Sequence, residues 1–160
     1  MKNHISVLCA IIAAATLLSC ATTGSGDGLS LEEAIEQSAT ELAAELPAGT
    51  RVAIVGFASE QGNLSEYIMD ELTGALVDGG LEVADRRNLA FAYKELNFQM
   101  SGDVSEETAV SIGKFLGAPY VITGQLVKAG GSRRYRLSGI NAETAVQESA
   151  VRLSVRDDRA

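Results

Sequence analysis

The chain has 160 residues, 13 basic and 21 acidic, with a formal net charge of -8 and one histidine. That length corresponds to one domain and is enough to bury a hydrophobic core. The acidic balance argues against nucleic acid as a partner, because binding it needs cationic residues that displace counterions from phosphates.

The N-terminus has the pattern of a lipid-modified secretory signal. Lys2 precedes an apolar run over Ile5–Leu18, 14 residues long, which is shorter than the roughly 20 residues of a membrane-spanning helix. Ser19 and Cys20 follow directly. We therefore expect residues 1–19 to be a cleaved signal peptide and Cys20 to carry the lipid. The alternative is an ordinary signal peptide in which Cys20 is incidental.

Cleavage at this point would restrict the chemistry of the mature chain. It would leave 12 basic and 21 acidic residues, a net charge of -9, and no histidine. Cys9 would be lost with the signal and Cys20 would be acylated, so no disulfide or free thiol is expected. His-based triads, thiolate nucleophiles and imidazole or thiolate metal sites are thereby excluded. We expect neither a metal nor a cofactor.

A small, glycine-rich stretch follows Cys20. Residues 20–30 are predicted to be the lipidated cysteine and a flexible tether, in which Ala21–Gly28 has a root-mean-square reach of about 15 Å by random-coil scaling. One domain is expected over residues 31–160, and so short a tether would keep it close to its membrane.

The domain is predicted to begin with a helix and a buried strand. Ser30 and Glu33 have the spacing of a capping box, and apolar residues recur behind them on one helical stripe. Pro47 ends that helix. The run Arg51–Phe57 is continuously apolar after its first residue and too short for a helix, so it is predicted to be a central strand.

A second helix and a short strand complete a β-α-β unit. Asn63 and Glu66 resemble another N-terminal cap, and the apolar stripe behind them ends at Gly79. Leu81–Ala84 is predicted to be a brief strand. A strand, a helix and a strand in this order form a right-handed crossover that joins two parallel strands.

Two further helices are expected before the chain returns to the sheet. One follows Asp85 and Arg86, and an irregular connection leads from it to the other. That last helix is predicted to begin at Ser105 and to end at Gly117, which suits a left-handed cap. Pro119 then opens the next strand, where a missing amide donor matters least.

The final third is β-rich and is predicted to be an antiparallel meander over Tyr120–Lys128, Arg133–Asn141 and Val146–Arg156. The fold class is therefore α/β (α+β): a mixed sheet covered by helices, with a β-α-β start and a C-terminal meander. Alternation along the strands places an apolar set on one face and a cationic set on the other. The cationic set is Arg134, Arg136, Arg152 and Arg156.

Charge is divided along the chain. Residues 20–80 hold 11 acidic residues and one basic residue, whereas residues 128–160 hold seven basic and four acidic residues. This asymmetry would permit an oriented contact with an anionic partner, and we predict that the four arginines form it. The alternative is a solvated face that offsets the acidic half of the chain.

Paired carboxylates leave one catalytic alternative open, a glycan hydrolase of the acid and base type. Neighbours in sequence seldom face one site, so solvated helix faces and a polar tail are the favoured interpretation. The pairs are Asp70 with Glu71, Glu106 with Glu107, and Asp157 with Asp158.

Several segments resemble the CsgG/LpoB/FlgO-like family of bacterial envelope lipoproteins, over roughly Leu31 to Arg156. They are Val52–Phe57, Val83–Arg86, Glu95–Gly102, Ile112–Gly124 and Ala142–Thr144. We expect the signature residues within them to have structural roles: Gly117 would cap a helix, Gly124 would thin a strand, and Asp85 would pair with Arg86 at a helix entrance. Ser101, Gly102 and Gly113 complete the set.

The resemblance implies a helix-covered sheet in a protein that binds and does not catalyse. It further implies an outer-membrane lipoprotein facing the periplasm whose partner is an envelope protein. In the activator branch of the family that partner is a penicillin-binding protein, a peptidoglycan synthase. The alternative is an accessory or ring-forming subunit of a curli or flagellar-type assembly complex. Segments for membrane-spanning hairpins are not found, so we do not expect a curli-type pore.

Overall fold

The computed structural model describes residues 28–99 and 103–157, which form four helices and one five-stranded sheet. The signal peptide, Cys20, most of the tether, and the signature residues Ser101 and Gly102 lie outside the described residues. The elements in chain order are α1 (Leu31–Glu45), β1 (Arg51–Ser59), α2 (Gly62–Asp78), β2 (Glu82–Val83), α3 (Arg86–Glu95), α4 (Glu106–Leu116), β3 (Tyr120–Ala129), β4 (Ser132–Asn141) and β5 (Val146–Arg156).

The sheet has the strand order β2-β1-β3-β4-β5, parallel on one side and antiparallel on the other. β1 pairs in parallel with both β2 and β3, whereas β3, β4 and β5 form the predicted antiparallel meander. Ala129 pairs with Ser132, so a two-residue turn at Gly130 and Gly131 joins β3 to β4 and fixes their register. The predicted mixed sheet is confirmed.

Helices cover the two faces of the sheet unequally. α1 and α2 pack on one face, where Leu42, Leu72 and Tyr135 belong to the larger core cluster. α3 and α4 form the second layer, whose core includes Val55, Tyr93 and Ile112. α4 contacts β1, β3 and β4, but neither α3 nor α4 makes extensive contact with β5. The second face is therefore open over the end of the meander.

Most helix ends are where the sequence predicts them, because their caps are local. Ser30 and Glu33 form the expected reciprocal capping box at α1. The carboxylate of Glu33 accepts the hydrogen bond from the backbone amide of Ser30, which lowers the pKa of Glu33. Ser105 caps α4, and Gly117 ends it with a φ of 62°.

The predicted cap of α2 is wrong. Asn63 does not precede the helix, which already begins at Gly62 after an N-cap residue, Gln61, whose side chain makes no capping bond. The cause is the length of β1, which continues to Ser59 and turns directly into the helix. The hydroxyl of Ser59 donates to the carbonyl of Gln61 at 2.6 Å and so closes that turn.

The last residues of the expected tether are already part of the sheet. Leu29 forms a parallel bridge with Val155: its amide donates to Ser154 O, and its carbonyl accepts from the amide of Arg156, both at 2.9 Å. The start of the domain is thus attached to the outer edge of β5.

Candidate functional site

The four arginines of the predicted cationic set share one face of the sheet, as alternation requires. Across β4 and β5, Arg136 lies directly opposite Arg152, while Arg134 is opposite Ser154 and Arg156 is opposite Ser132. Residues directly opposite each other on antiparallel strands point to the same side. This side is the face that α3 and α4 leave open over the meander.

A polar concavity of about 280 Å³ lies on this open face. Two of the four arginines, Arg136 and Arg152, line it, whereas Arg134 and Arg156 do not. The other lining residues lie on β3, β4, β5 and the segment that precedes α4: Asp103, Val104, Thr123, Gly124, Gln125, Leu137, Ser138, Gln147 and Ala150. Residues with amide or hydroxyl side chains thus line the concavity together with two arginines and Asp103.

Neither arginine in the concavity forms an ion pair with another described residue, although the carboxylate of Asp103 lines the same concavity. Other arginines of the described chain do form ion pairs: Arg133 pairs with Asp157 at 2.8 Å and Arg86 with Asp70 at 2.7 Å. The Nε of Arg136 is buried and has no hydrogen-bond acceptor among residues 28–99 and 103–157. Like charges directly opposite on neighbouring strands repel, so the concavity holds a net positive charge that the described part of the fold does not neutralise.

Arg156 has a different environment. Its guanidinium donates to the carbonyl of Gly28 at 3.2 Å and thereby ties the start of the described chain to β5. The predicted set of four therefore divides into two arginines in the concavity, one exposed neighbour, Arg134, and one structural residue.

A larger cavity, of about 510 Å³, lies beyond the carboxyl end of β1, between α2 and α3. β1 stands between its two parallel neighbours, so this is the topological switch point at which open α/β sheets bind ligands. Its principal polar groups, however, are already paired. The hydroxyl of Tyr93 donates to Val55 O at 2.6 Å, and the Ser59 and Ser65 hydroxyls are 2.8 Å apart.

Arg86, at the same cavity, corrects one expectation. It does not pair with Asp85 at the helix entrance but reaches Asp70 on α2. Asp85 instead caps α3, accepting from the amide of Arg87 at 2.7 Å, and this hydrogen bond lowers its pKa. The two signature residues therefore have separate structural roles: one starts α3 and the other joins it to α2.

The signature glycines mark close contacts. A Cβ on Gly124 would overlap the ring of Phe57, and one on Gly113 would overlap a methyl group of Val121. Gly117 supplies the left-handed cap of α4. Packing explains Gly113 and Gly124, and backbone conformation explains Gly117.

The paired carboxylates are dispersed. Asp70 is paired with Arg86 and Asp157 with Arg133, Glu106 and Glu107 lie in the first turn of α4, and Asp158 is outside the described residues. Within residues 28–99 and 103–157, no group of three or more His, Cys, Asp or Glu side chains could hold a metal ion. No helix in the same ranges is both long and apolar enough to cross a membrane.

Sequence reasoning missed most of the neutral side chains around the two arginines. Ser138 follows Arg136 by two positions and Ala150 precedes Arg152 by two, so the alternation that identified the arginines could have found them. Asp103 and Val104 could not be found this way, because they belong to an irregular connection.

The fold is that of the C-terminal domain of LpoB. The domain from Salmonella enterica matches with a TM-score of 0.70 and 14% sequence identity, over 81% of this chain and 100% of that domain. The Escherichia coli domain matches with a TM-score of 0.68 and the same identity and coverage. Lipoprotein GNA1162 from Neisseria meningitidis matches with a TM-score of 0.54 and 12% identity, over 71% of this chain and 83% of that one.

A scan against protein-family models and a search of curated proteins both gave no match. The likeness therefore concerns the fold. It confirms the helix-covered sheet that the resemblance in sequence implies.

Proposed function

We propose that this protein is a noncatalytic lipoprotein of the periplasm that binds a penicillin-binding protein and activates it. The observation that carries the proposal is the match of the fold to the whole LpoB C-terminal domain. The sequence resemblance supplies the role of that domain, which is to bind and activate a peptidoglycan synthase. A lipid on Cys20 would hold the protein at the outer membrane.

The surface proposed for this contact is the open sheet face that carries the arginines. It is cationic in a chain whose net charge is -8, and it lies on strands and not on loops. A site on rigid elements presents its charges in a fixed arrangement. A partner with an acidic surface would be oriented by such a face before contact.

Affinity capture from detergent-solubilised envelopes tests the proposal. Penicillin-binding proteins, labelled covalently with a fluorescent penicillin, should be retained by the full-length protein, and the retained synthase should polymerise glycan faster when the protein is present. Retention without acceleration, or no retention, would contradict an activator.

Charge reversal tests the surface. The double variant R136E/R152E should lose retention of the labelled synthase, whereas R87E should keep it, because the side chain of Arg87 is 92% exposed on α3 and lies outside the concavity. Circular dichroism of both variants checks that the fold is intact. Equal retention by the two variants would reject the arginine face.

A further inference from the structure

The concavity that Arg136 and Arg152 line is positively charged, and neither arginine forms an ion pair with a described residue. The hairpin of β4 and β5 neutralises one of its own arginines, since Arg133 meets Asp157. It leaves Arg136 and Arg152 opposed across the strands with no described carboxylate bound to either. An anion between them would replace a repulsion by two attractions.

The size of the concavity favours a small group. About 280 Å³ is at the lower limit of the roughly 300–1,000 Å³ of drug-sized ligand pockets. Around the two guanidinium groups lie the side-chain amides of Gln125 and Gln147 and the hydroxyl of Ser138. These groups can donate to the oxygens of an anion that the arginines hold.

The charge of the lining favours a singly charged anion. The two arginines and Asp103 give the lining a net charge of +1, which one carboxylate neutralises. A phosphate carries a charge of about -1.5 to -2 at neutral pH and would overcompensate the charge of this lining. A carboxylate is planar and suits the fork of a guanidinium, which binds it through two parallel hydrogen bonds.

We infer that Arg136 and Arg152 together bind a single carboxylate side chain, an aspartate or glutamate on the surface of the envelope partner. The inference rests on the proposed function only for the source of that side chain. It assigns the direct contact with the partner to two of the four predicted arginines. Arg134 faces the same side of β4 but lies outside the concavity, so it contributes no direct ligand.

Titration of the full-length protein with a peptide that is capped at both ends and carries one glutamate tests the inference, with binding followed by amide chemical shifts. Shifts should be concentrated on the concavity residues of β4 and β5. The R136Q/R152Q variant should lose about tenfold or more in affinity, as expected for lost hydrogen bonds to a charged group. R134Q is the matched control and should stay within about twofold, since it removes a neighbouring charge that lies outside the concavity.

Three outcomes would overturn the inference: unchanged affinity in R136Q/R152Q, an equal loss in R134Q, or inorganic phosphate binding as tightly as the peptide. The R136K/R152K variant guards against a folding defect, because it keeps both charges and lacks the planar fork. It should bind more weakly than the native protein and more tightly than R136Q/R152Q.

The same variants separate the inference from the proposed function. If the peptide binds through both arginines and no synthase is captured, the carboxylate site stands and the activator role falls. If R136Q/R152Q captures the synthase as well as the native protein, the carboxylate site falls and the role stands.

Discussion

Arg152 lies opposite Arg136 on the adjacent strand, and among the described residues neither has a charged partner. Like charges that face each other across two strands destabilise a sheet. A cross-strand pair of side chains changes the stability by roughly 0.2–1 kcal/mol. R152Q should therefore raise the free energy of unfolding by a few tenths of a kcal/mol, up to about 1 kcal/mol. Urea unfolding at low salt measures it.

R134Q is the control for this effect, because Arg134 faces the neutral Ser154. It should leave the urea midpoint nearly unchanged. Added salt should reduce the difference between R152Q and the native protein, since salt screens the repulsion of exposed charges. A destabilised R152Q would mean that this arginine has a favourable internal contact.

Gly124 lies where close packing leaves no room for a side chain. A Cβ there would overlap the ring of Phe57 and lie 2.8 Å from a methyl carbon of Leu137. We expect G124A to lower the free energy of unfolding by about 1–3 kcal/mol, the usual cost of overpacking. Thermal unfolding followed by circular dichroism measures it.

Gly74 provides the matched comparison. It lies inside α2, and a Cβ at this position would meet nothing within 4 Å. G74A should stabilise the protein by about 0.5–1 kcal/mol, because alanine restricts the unfolded chain and favours a helix. If both variants were destabilised alike, packing around Phe57 would not be the cause.

At the scale of elements, two buried tyrosines join helices to strands. Tyr93 on α3 donates its hydroxyl proton to Val55 O of β1, and Tyr135 of β4 lies 3.2 Å from the hydroxyl of Ser38 on α1. Burial raises the pKa of each phenol to about 12. The folded state therefore holds these protons to higher pH than the unfolded chain, in which tyrosine has a pKa of about 10.

The sign of the pH dependence follows from this difference. The contribution of both phenols is fully present below about pH 10 and is lost as the pH rises toward about 12, because the unfolded chain releases the protons first. Urea midpoints between neutral and alkaline pH should fall less steeply in Y93F/Y135F than in the native protein. If the urea midpoints of the two proteins fell in parallel with pH, groups other than these phenols would cause the loss of stability at alkaline pH.

The elements that the sequence predicts well are those whose signals are local. Ser30 and Ser105 mark helix starts, because their side chains accept hydrogen bonds from the backbone of the first turn. Arg134 and Arg136, two positions apart, mark one face of a strand. The start of α2 was predicted wrongly, because its position depends on how far β1 pairs with β3. That pairing is not local, and neither is the register that opposes Arg136 to Arg152.

The candidate site was only partly predictable for the same reason. Its arginines follow from alternation, but which of them line the concavity depends on α4 leaving β5 open. Asp103 reaches the concavity from an irregular connection, which carries no periodic signal. The attachment of Leu29 to β5 requires the folded sheet edge.

At the scale of the whole molecule, opposite charges lie on opposite faces of the sheet. A groove between α1 and α2 is lined by Glu32, Glu36, Asp70, Glu71 and Asp78, whereas the open face over β4 and β5 holds the arginines. Such a distribution orients the domain in the field of a charged partner. The acidic helices would turn away from an acidic surface while the arginine face turns toward it.

The position of the anchor decides which partners this face can meet. Residues 20–27 alone separate the predicted lipid from the edge of β5, and eight residues span at most about 28 Å when fully extended. A synthase held in the inner membrane would have to extend toward the outer membrane to be bound. A partner with a large periplasmic part is therefore expected.

The anchor itself is a prediction that the cell can test. C20A removes the thiol that would carry the diacylglycerol, and two or more acyl chains are what make membrane attachment lasting. We expect the native protein in the membrane fraction, with an intact mass of residues 20–160 plus lipid, and C20A to lack that lipid mass and leave the fraction. C9A is the matched control, because Cys9 lies in the segment predicted to be removed, and it should behave as the native protein does. A native protein of unmodified mass, or a C20A variant that stays membrane-bound, would remove the anchor and with it the periplasmic, outer-membrane setting in which the arginine face is proposed to act.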